Sequence, residues 1–181
     1  MRLKALISAC VLLSLLSISW TGVSFAQDDQ VLFEGKVNTD GVNIRFDSTV
    51  SAEVVCVVGR GKALKVVMEL YDWYKVMLPK GAPSFVSKEL VQIIDQYSGE
   101  VLKERVNIRF KPSDASWIIG RLDKGELVTI RNQEGGWYRI EPNGKSFGWI
   151  HKKFLDKPGL SKPQAQDTSQ AQEKLEEAQQ E

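Results

Sequence analysis

Residues 105–120 read RVNIRFKPSDASWIIG, and residues 41–56 read GVNIRFDSTVSAEVVC. In both stretches Val and Ile (Val42 and Ile44, Val106 and Ile108) alternate with Asn and Arg. This is the two-residue period of a strand with one face on a core and the other toward water. The shared VNIRF is not isolated. Asn43 and Asn107, Gly61 and Gly125, Trp73 and Trp137, and Gly35 and Gly99 are all 64 residues apart, so residues 35–91 align on 99–155 without a gap. One short match could arise by chance. The same offset at WYKV against WYRI, and at SFVSKELV against GWIHKKFL, marks a duplicated module of small-domain size.

Working outward through the second copy, short alternating runs are separated by turn residues. Ile118-Ile119 precede Asp123-Lys124-Gly125, Leu127 to Arg131 alternates up to Gly135-Gly136, and Trp137 to Ile140 leads to Pro142-Asn143-Gly144 before Phe147 to Ile150. Short strands joined by Gly, Asn and Pro turns predict an all-β unit, with Val42, Ile44, Val106 and Ile108 buried in equivalent places. A unit of about 60 residues buries only about 60% of its extended-chain surface. Closing each sheet into a small barrel of five to six strands is the economical way to gain a core and hide the edges. The spacing predicts one barrel over 35–91, a short connector over 92–98, and a second barrel over 99–155, after an N-terminal lead at 27–34.

The two ends read differently. Arg2 and Lys4 precede an apolar run from Ala5 to about Trp20, and Ser24-Phe25-Ala26 supplies small residues before a cut. This predicts a secretory signal peptide over 1–26, with the membrane contacted only if that segment stays uncleaved. Cys10 lies too early in the apolar run for a lipoprotein signal. Its removal leaves Cys56 as the single cysteine, so the mature fold has no internal disulfide. In Val54-Val55-Cys56-Val57-Val58 it reads as a small buried hydrophobe. The chain carries 24 basic and 23 acidic residues, of which the signal takes only Arg2 and Lys4. Near neutrality and export both argue against nucleic acid. From residue 156 to 181 the composition turns to Gln, Glu and Ala, which predicts a disordered or partly helical tail.

Val106-Asn107-Ile108-Arg109 with Pro112-Ser113, then Ile119-Gly120, Lys124-Gly125, Gly136-Trp137-Tyr138 and Gly148-Trp149-Ile150, resemble the bacterial SH3 domain in order and spacing. The first copy keeps VNIR, Gly61 and Trp73-Tyr74. It has Ser48 for the Pro, Cys56 for a Gly, Asp72 for the Gly before Trp, and Ser84-Phe85-Val86 for Gly-Trp-Ile. The resemblance implies two tandem SH3-like barrels, the first diverged, in a non-catalytic protein of the periplasm or cell envelope. Its ligand would be peptidoglycan or wall peptides; the alternative is an adaptor that binds another exported envelope protein. No enzyme is expected. The sequence outside the copies is too short for a hydrolase, a zinc amidase needs about three protein ligands, and the chain has one histidine, His151. No metal or cofactor is expected.

If Ile140 faces the core, alternation turns Trp137 and Arg139 outward. The resemblance then places Trp137 beside a groove on the second barrel, with Phe154 and His151 from the closing turn and Arg109 and Asn107 from the outward side of VNIR. Simpler readings stand beside this one. Trp137 could cap the core, Arg109 and Asn107 could form a solvated strand face, and His151 could serve the turn. The first copy offers Trp73, Leu90, Ser87, Arg45 and Asn43, a less aromatic set, so the sequence places the main site on the second barrel.

Overall fold

The computed structural model describes residues 30–159. The signal-peptide reading of 1–26 and the tail beyond residue 159 lie outside the described residues. The elements are β1 (Phe33–Val37), β2 (Val42–Arg45), β3 (Val54–Val58), β4 (Ala63–Leu70), β5 (Trp73–Met77), β6 (Phe85–Ser87), β7 (Val91–Asp95), β8 (Ser98–Val101), β9 (Val106–Arg109), β10 (Ile118–Leu122), β11 (Leu127–Glu134), β12 (Trp137–Ile140), β13 (Phe147–His151) and β14 (Leu155–Asp156). Single 3-10 turns, Lys88–Leu90 and Lys152–Phe154, follow β6 and β13. No α-helix occurs among the described residues, and none of their helices is long and apolar enough to cross a membrane. The all-β reading is met, and Val42, Ile44, Val106 and Ile108 are all buried.

The strands form two seven-stranded antiparallel sheets. Sheet A has the order β14-β1-β4-β5-β13-β2-β3, and sheet B has β10-β9-β6-β12-β11-β8-β7. Under the 64-residue offset the two orders are the same, but each sheet is closed by the other copy's final strands. β6 pairs with β12 and β9 of the second copy, while β13 pairs with β5 and β2 of the first. The division into 35–91 and 99–155 is therefore corrected. Sheet B is one continuous run, β6 to β12, and sheet A is assembled from the segments on either side of it. Alternation could not show this, because β6 and β13 offer the same code. Val86 completes the core of sheet B and Ile150 that of sheet A, both at 0% exposure.

The proposed connector is also not a linker. Residues 92–98 lie within the β7–β8 hairpin, in register from Val91↔Val101 to Asp95↔Ser98. Asp95 closes its turn, accepting the Ser98 hydroxyl at 2.6 Å and the Tyr97 N–H at 2.7 Å. These two donors, the hydroxyl first, hold its carboxyl below the usual range.

The chain passes between sheets twice, through residues 78–84 and 141–146, and the two passages touch. Leu78 N–H donates to the Ser146 carbonyl at 2.8 Å, and Ile140 N–H donates to the Ser84 carbonyl at 2.8 Å. Gly120 bridges to Ser146, and a Cβ on Gly120 would stand 1.8 Å from the Lys145 carbonyl oxygen, so only glycine permits the passage to lie there. Lys145 is fixed on Glu126 and Asp123 of the turn between β10 and β11. The two sheets also meet where Phe46 stacks on Trp117, 4.5 Å apart and 7° from parallel, and where Lys111 pairs with Glu53. Their buried residues form one cluster.

Glu141 enters the second passage. Its carboxylate accepts the Gly81 N–H at 2.7 Å and the Arg131 Nε at 2.5 Å. Burial works against its ionisation, but these donors outweigh it and hold the carboxyl below the usual range. A lowered folded-state pKa contributes stability that is complete above the unfolded carboxylate pKa and is lost as pH falls through the folded one. Glu141→Gln is therefore expected to cost about 1–3 kcal/mol at pH 7, and to cost progressively less below about pH 4, in urea midpoints measured across that range.

Candidate functional site

Cross-strand register places the outward side chains of sheet A in two rows. Leu70 lies opposite Trp73, which lies opposite His151. Two residues along, Met68, Lys75, Trp149 and Arg45 follow one another across β4, β5, β13 and β2. Beside the first row opens a groove of about 510 Å³, lined by Asn43 and Arg45 of β2, Trp73 of β5, Val50 of the β2–β3 loop, and His151, Lys153 and Phe154 of the returning second copy. That volume suits a small ligand or a short stretch of a larger one.

Three aromatic rings form its wall. The Trp73 and His151 ring centres are 5.3 Å apart, and those of His151 and Phe154 are 6.1 Å apart. All three residues are half-buried. His151 also caps the 3-10 turn, its Nδ1 accepting the Lys153 N–H at 3.3 Å, which leaves Nε2 as a donor. Lys153 lies over the Phe154 ring at 4.8 Å and brings a cation to the rim.

The returning segment is sewn to the first copy at several points. Lys152 N–H donates to the Asp72 carbonyl at 2.8 Å, and Asn38 reaches the Lys153 carbonyl at 2.9 Å and Asp156 at 3.0 Å. Glu69 accepts from Lys152 and Lys157, which hold its carboxyl below the usual range, the Lys152 hydrogen bond foremost. Pairs this exposed contribute little each, but they fix the position of the turn.

The sequence-predicted residues are thus divided between the sheets. Phe154 and His151 do not join Trp137 as expected; they join Trp73. Trp137 stands on sheet B opposite Ser87, with Glu134 on its other side. Leu90, the residue aligned with Phe154, also packs against the core from the first copy. His151 lies in β13 and Phe154 in the turn after it, so both travel with that strand into sheet A.

Arg109 and Asn107 are placed by internal contacts. Arg109 Nη1 donates to the Ser116 carbonyl at 2.5 Å with its side chain only 16% exposed, and Arg45 does the same to Ala52 at 2.6 Å. Each arginine ties down the loop that follows its own strand. Asn107 Oδ1 accepts from Arg121 Nε at 3.3 Å. Sequence reasoning missed Val50 and Lys153, whose only signals are their positions in a loop and beside a predicted turn. Cys56 is half-buried, and desolvation pushes its thiol up to about 11, which makes it unreactive at neutral pH. No cluster of three or more metal-ligating side chains occurs among the described residues.

Comparison with known proteins agrees with this architecture in part. Residues 104–156 match the bacterial SH3 domain family. That stretch is divided here, its strands β9 to β12 lying in sheet B and β13 and β14 in sheet A. Over 160 residues the chain is 26% identical to a Bacillus subtilis (strain 168) protein named "Putative N-acetylmuramoyl-L-alanine amidase YrvJ". The match covers 76% of this chain and 30% of that protein, so the chain spans under a third of its relative's length.

Proposed function

We propose that this is an exported, non-catalytic binding protein of the cell envelope, built from two tandem copies of one SH3-like module, the first diverged, which holds peptidoglycan in the groove of sheet A. The observation that carries the reading is the convergence of Trp73, His151 and Phe154 on one groove. Flat rings with donors beside them suit sugar rings and peptide planes, and aromatic anchors supply a disproportionate share of contact energy. The SH3 match and the name of the relative support a wall ligand. Signal cleavage after Ala26 belongs to the same proposal.

Pull-down on purified sacculi tests it. Folded Trp73→Ala is expected to bind at least tenfold more weakly than the parent, a loss of about 1.4 kcal/mol, while Trp137→Ala binds like the parent. Parent-like binding by Trp73→Ala, with circular dichroism unchanged, would remove the groove from the reading.

A second reading, an adaptor for another exported protein, is favoured by the β4–β5 hairpin. Met68 is 46% exposed, Leu70 39% and Tyr71 86%, where the second copy has Asn132, Glu134 and Gly135. Such a ridge suits a protein surface. If the parent does not bind sacculi at all, this reading replaces the first, and crosslinking from position 71 would identify the partner.

A further inference from the structure

The closing strands β6 and β13 present nearly the same code, yet each lies in the other copy's sheet. Of the aligned positions that differ, Ser84 against Gly148 bears on the fit beside Ile44. A Cβ on Gly148, which precedes Trp149 in β13, would stand 2.5 Å from Ile44 Cγ2 and 3.1 Å from both the Arg45 carbonyl oxygen and Leu78 Cδ2. Ile44 is fully buried in a close-packed interior, as is its sheet B counterpart Ile108, so the two places differ in the residue that stands behind the isoleucine. If β6 took this place, Ser84 would bring a Cβ and a hydroxyl into that contact. In sheet B the aligned position accepts Ser84. The residue is fully buried, its carbonyl takes the Ile140 N–H, and its hydroxyl donates to Ser146 Oγ at 3.3 Å. There the residue aligned with Leu78 is Pro142, a shorter side chain.

We propose that the Ser84/Gly148 difference is a pairing lock, which directs each closing strand into the other copy's sheet and thereby decides which sheet carries the aromatic groove. His151 and Phe154 travel with β13, whereas Ser87 and Leu90 travel with β6. With the strands exchanged, Trp73 gains the two rings. With each copy closed on itself, Trp137 would gain them, and Trp73 would stand beside Ser87 and Leu90. The lock moves the surface from one sheet to the other without altering any groove residue.

Disulfide trapping in the full chain, with Cys10 and Cys56 replaced by Ala, reads the pairing directly. Trp73→Cys with His151→Cys reports exchange, since these residues are directly opposite. Trp73→Cys with Ser87→Cys reports self-closure, since Ser87 aligns with His151. At low protein concentration the first pair is expected to close within one chain at least ten times more completely than the second, scored by mass. Adding Ser84→Gly is expected to raise closure of the second pair at least fivefold. Gly148→Ser is expected to lower closure of the first, and because it could also unfold sheet A, Ser84→Gly is the deciding variant. Equal closure of the two pairs in the starting chain, no change with Ser84→Gly, or covalent dimers in place of closed monomers would each overturn the proposal.

Discussion

A protein stopped after Asn143 is expected to keep sheet B folded and to lose sheet A, although the cut falls inside the second copy. Every strand of sheet B lies between Phe85 and Ile140, whereas sheet A would lose β13 from its middle and β14 from its edge. Ile150 and Leu155, both buried in its core, would go with them. Burying side chains of this size contributes about 1.5–3 kcal/mol each, and β5 and β2 would face each other across an empty strand position, so the loss exceeds what a small sheet can absorb. Hydrogen exchange should show protection within 85–140 and none within 33–77. A protein of residues 99–155 alone, cut at the sequence repeat, should have neither sheet complete. Stable, protected folding of 99–155 would contradict the exchange.

Ile108→Ala is expected to cost about 2–5 kcal/mol, because the side chain is fully buried in sheet B and its removal leaves a cavity. The loss should not be confined to sheet B. When sheet B is folded it holds the two passages together; when it unfolds, sheet A must close over the 69 residues from 78 to 146, an entropic penalty of about 3–4 kcal/mol. Urea unfolding followed by probes near Trp73 and near Trp137 should therefore give coincident transitions that shift together in the variant. A midpoint near Trp73 that stays at the parent value would show two independent units.

The local structure was legible because alternation is local. Val42, Ile44, Val106 and Ile108 face the core as the pattern requires, and the 64-residue offset recovers the same strand order in both sheets. Partner choice was not legible. Val86 and Ile150 are both buried apolar residues that alternation cannot tell apart, and the space beside Ile44 is encoded by no periodicity. The site inherited that ambiguity. The residue types were right for an aromatic groove, but His151 and Phe154 were placed beside the wrong tryptophan. The arginines of VNIR read as outward residues, and they do leave the core, yet each turns its guanidinium onto a loop carbonyl that lies seven residues further along the chain.

The insertion of one sheet within the other also sets an order of events as the chain is made. Synthesis runs from the N-terminus, and domains generally fold in that order. Here the segment written first has to wait. Once Ile140 has emerged, sheet B has all its strands, while β1 to β5 still lack the strand that joins β5 to β2. Until Phe147–His151 arrives, the first copy presents open strand edges and an uncovered apolar face, the condition in which chains associate wrongly. The half of the protein that bears Trp73 is begun first and finished last, and any agent that shields nascent chains has its longest task there.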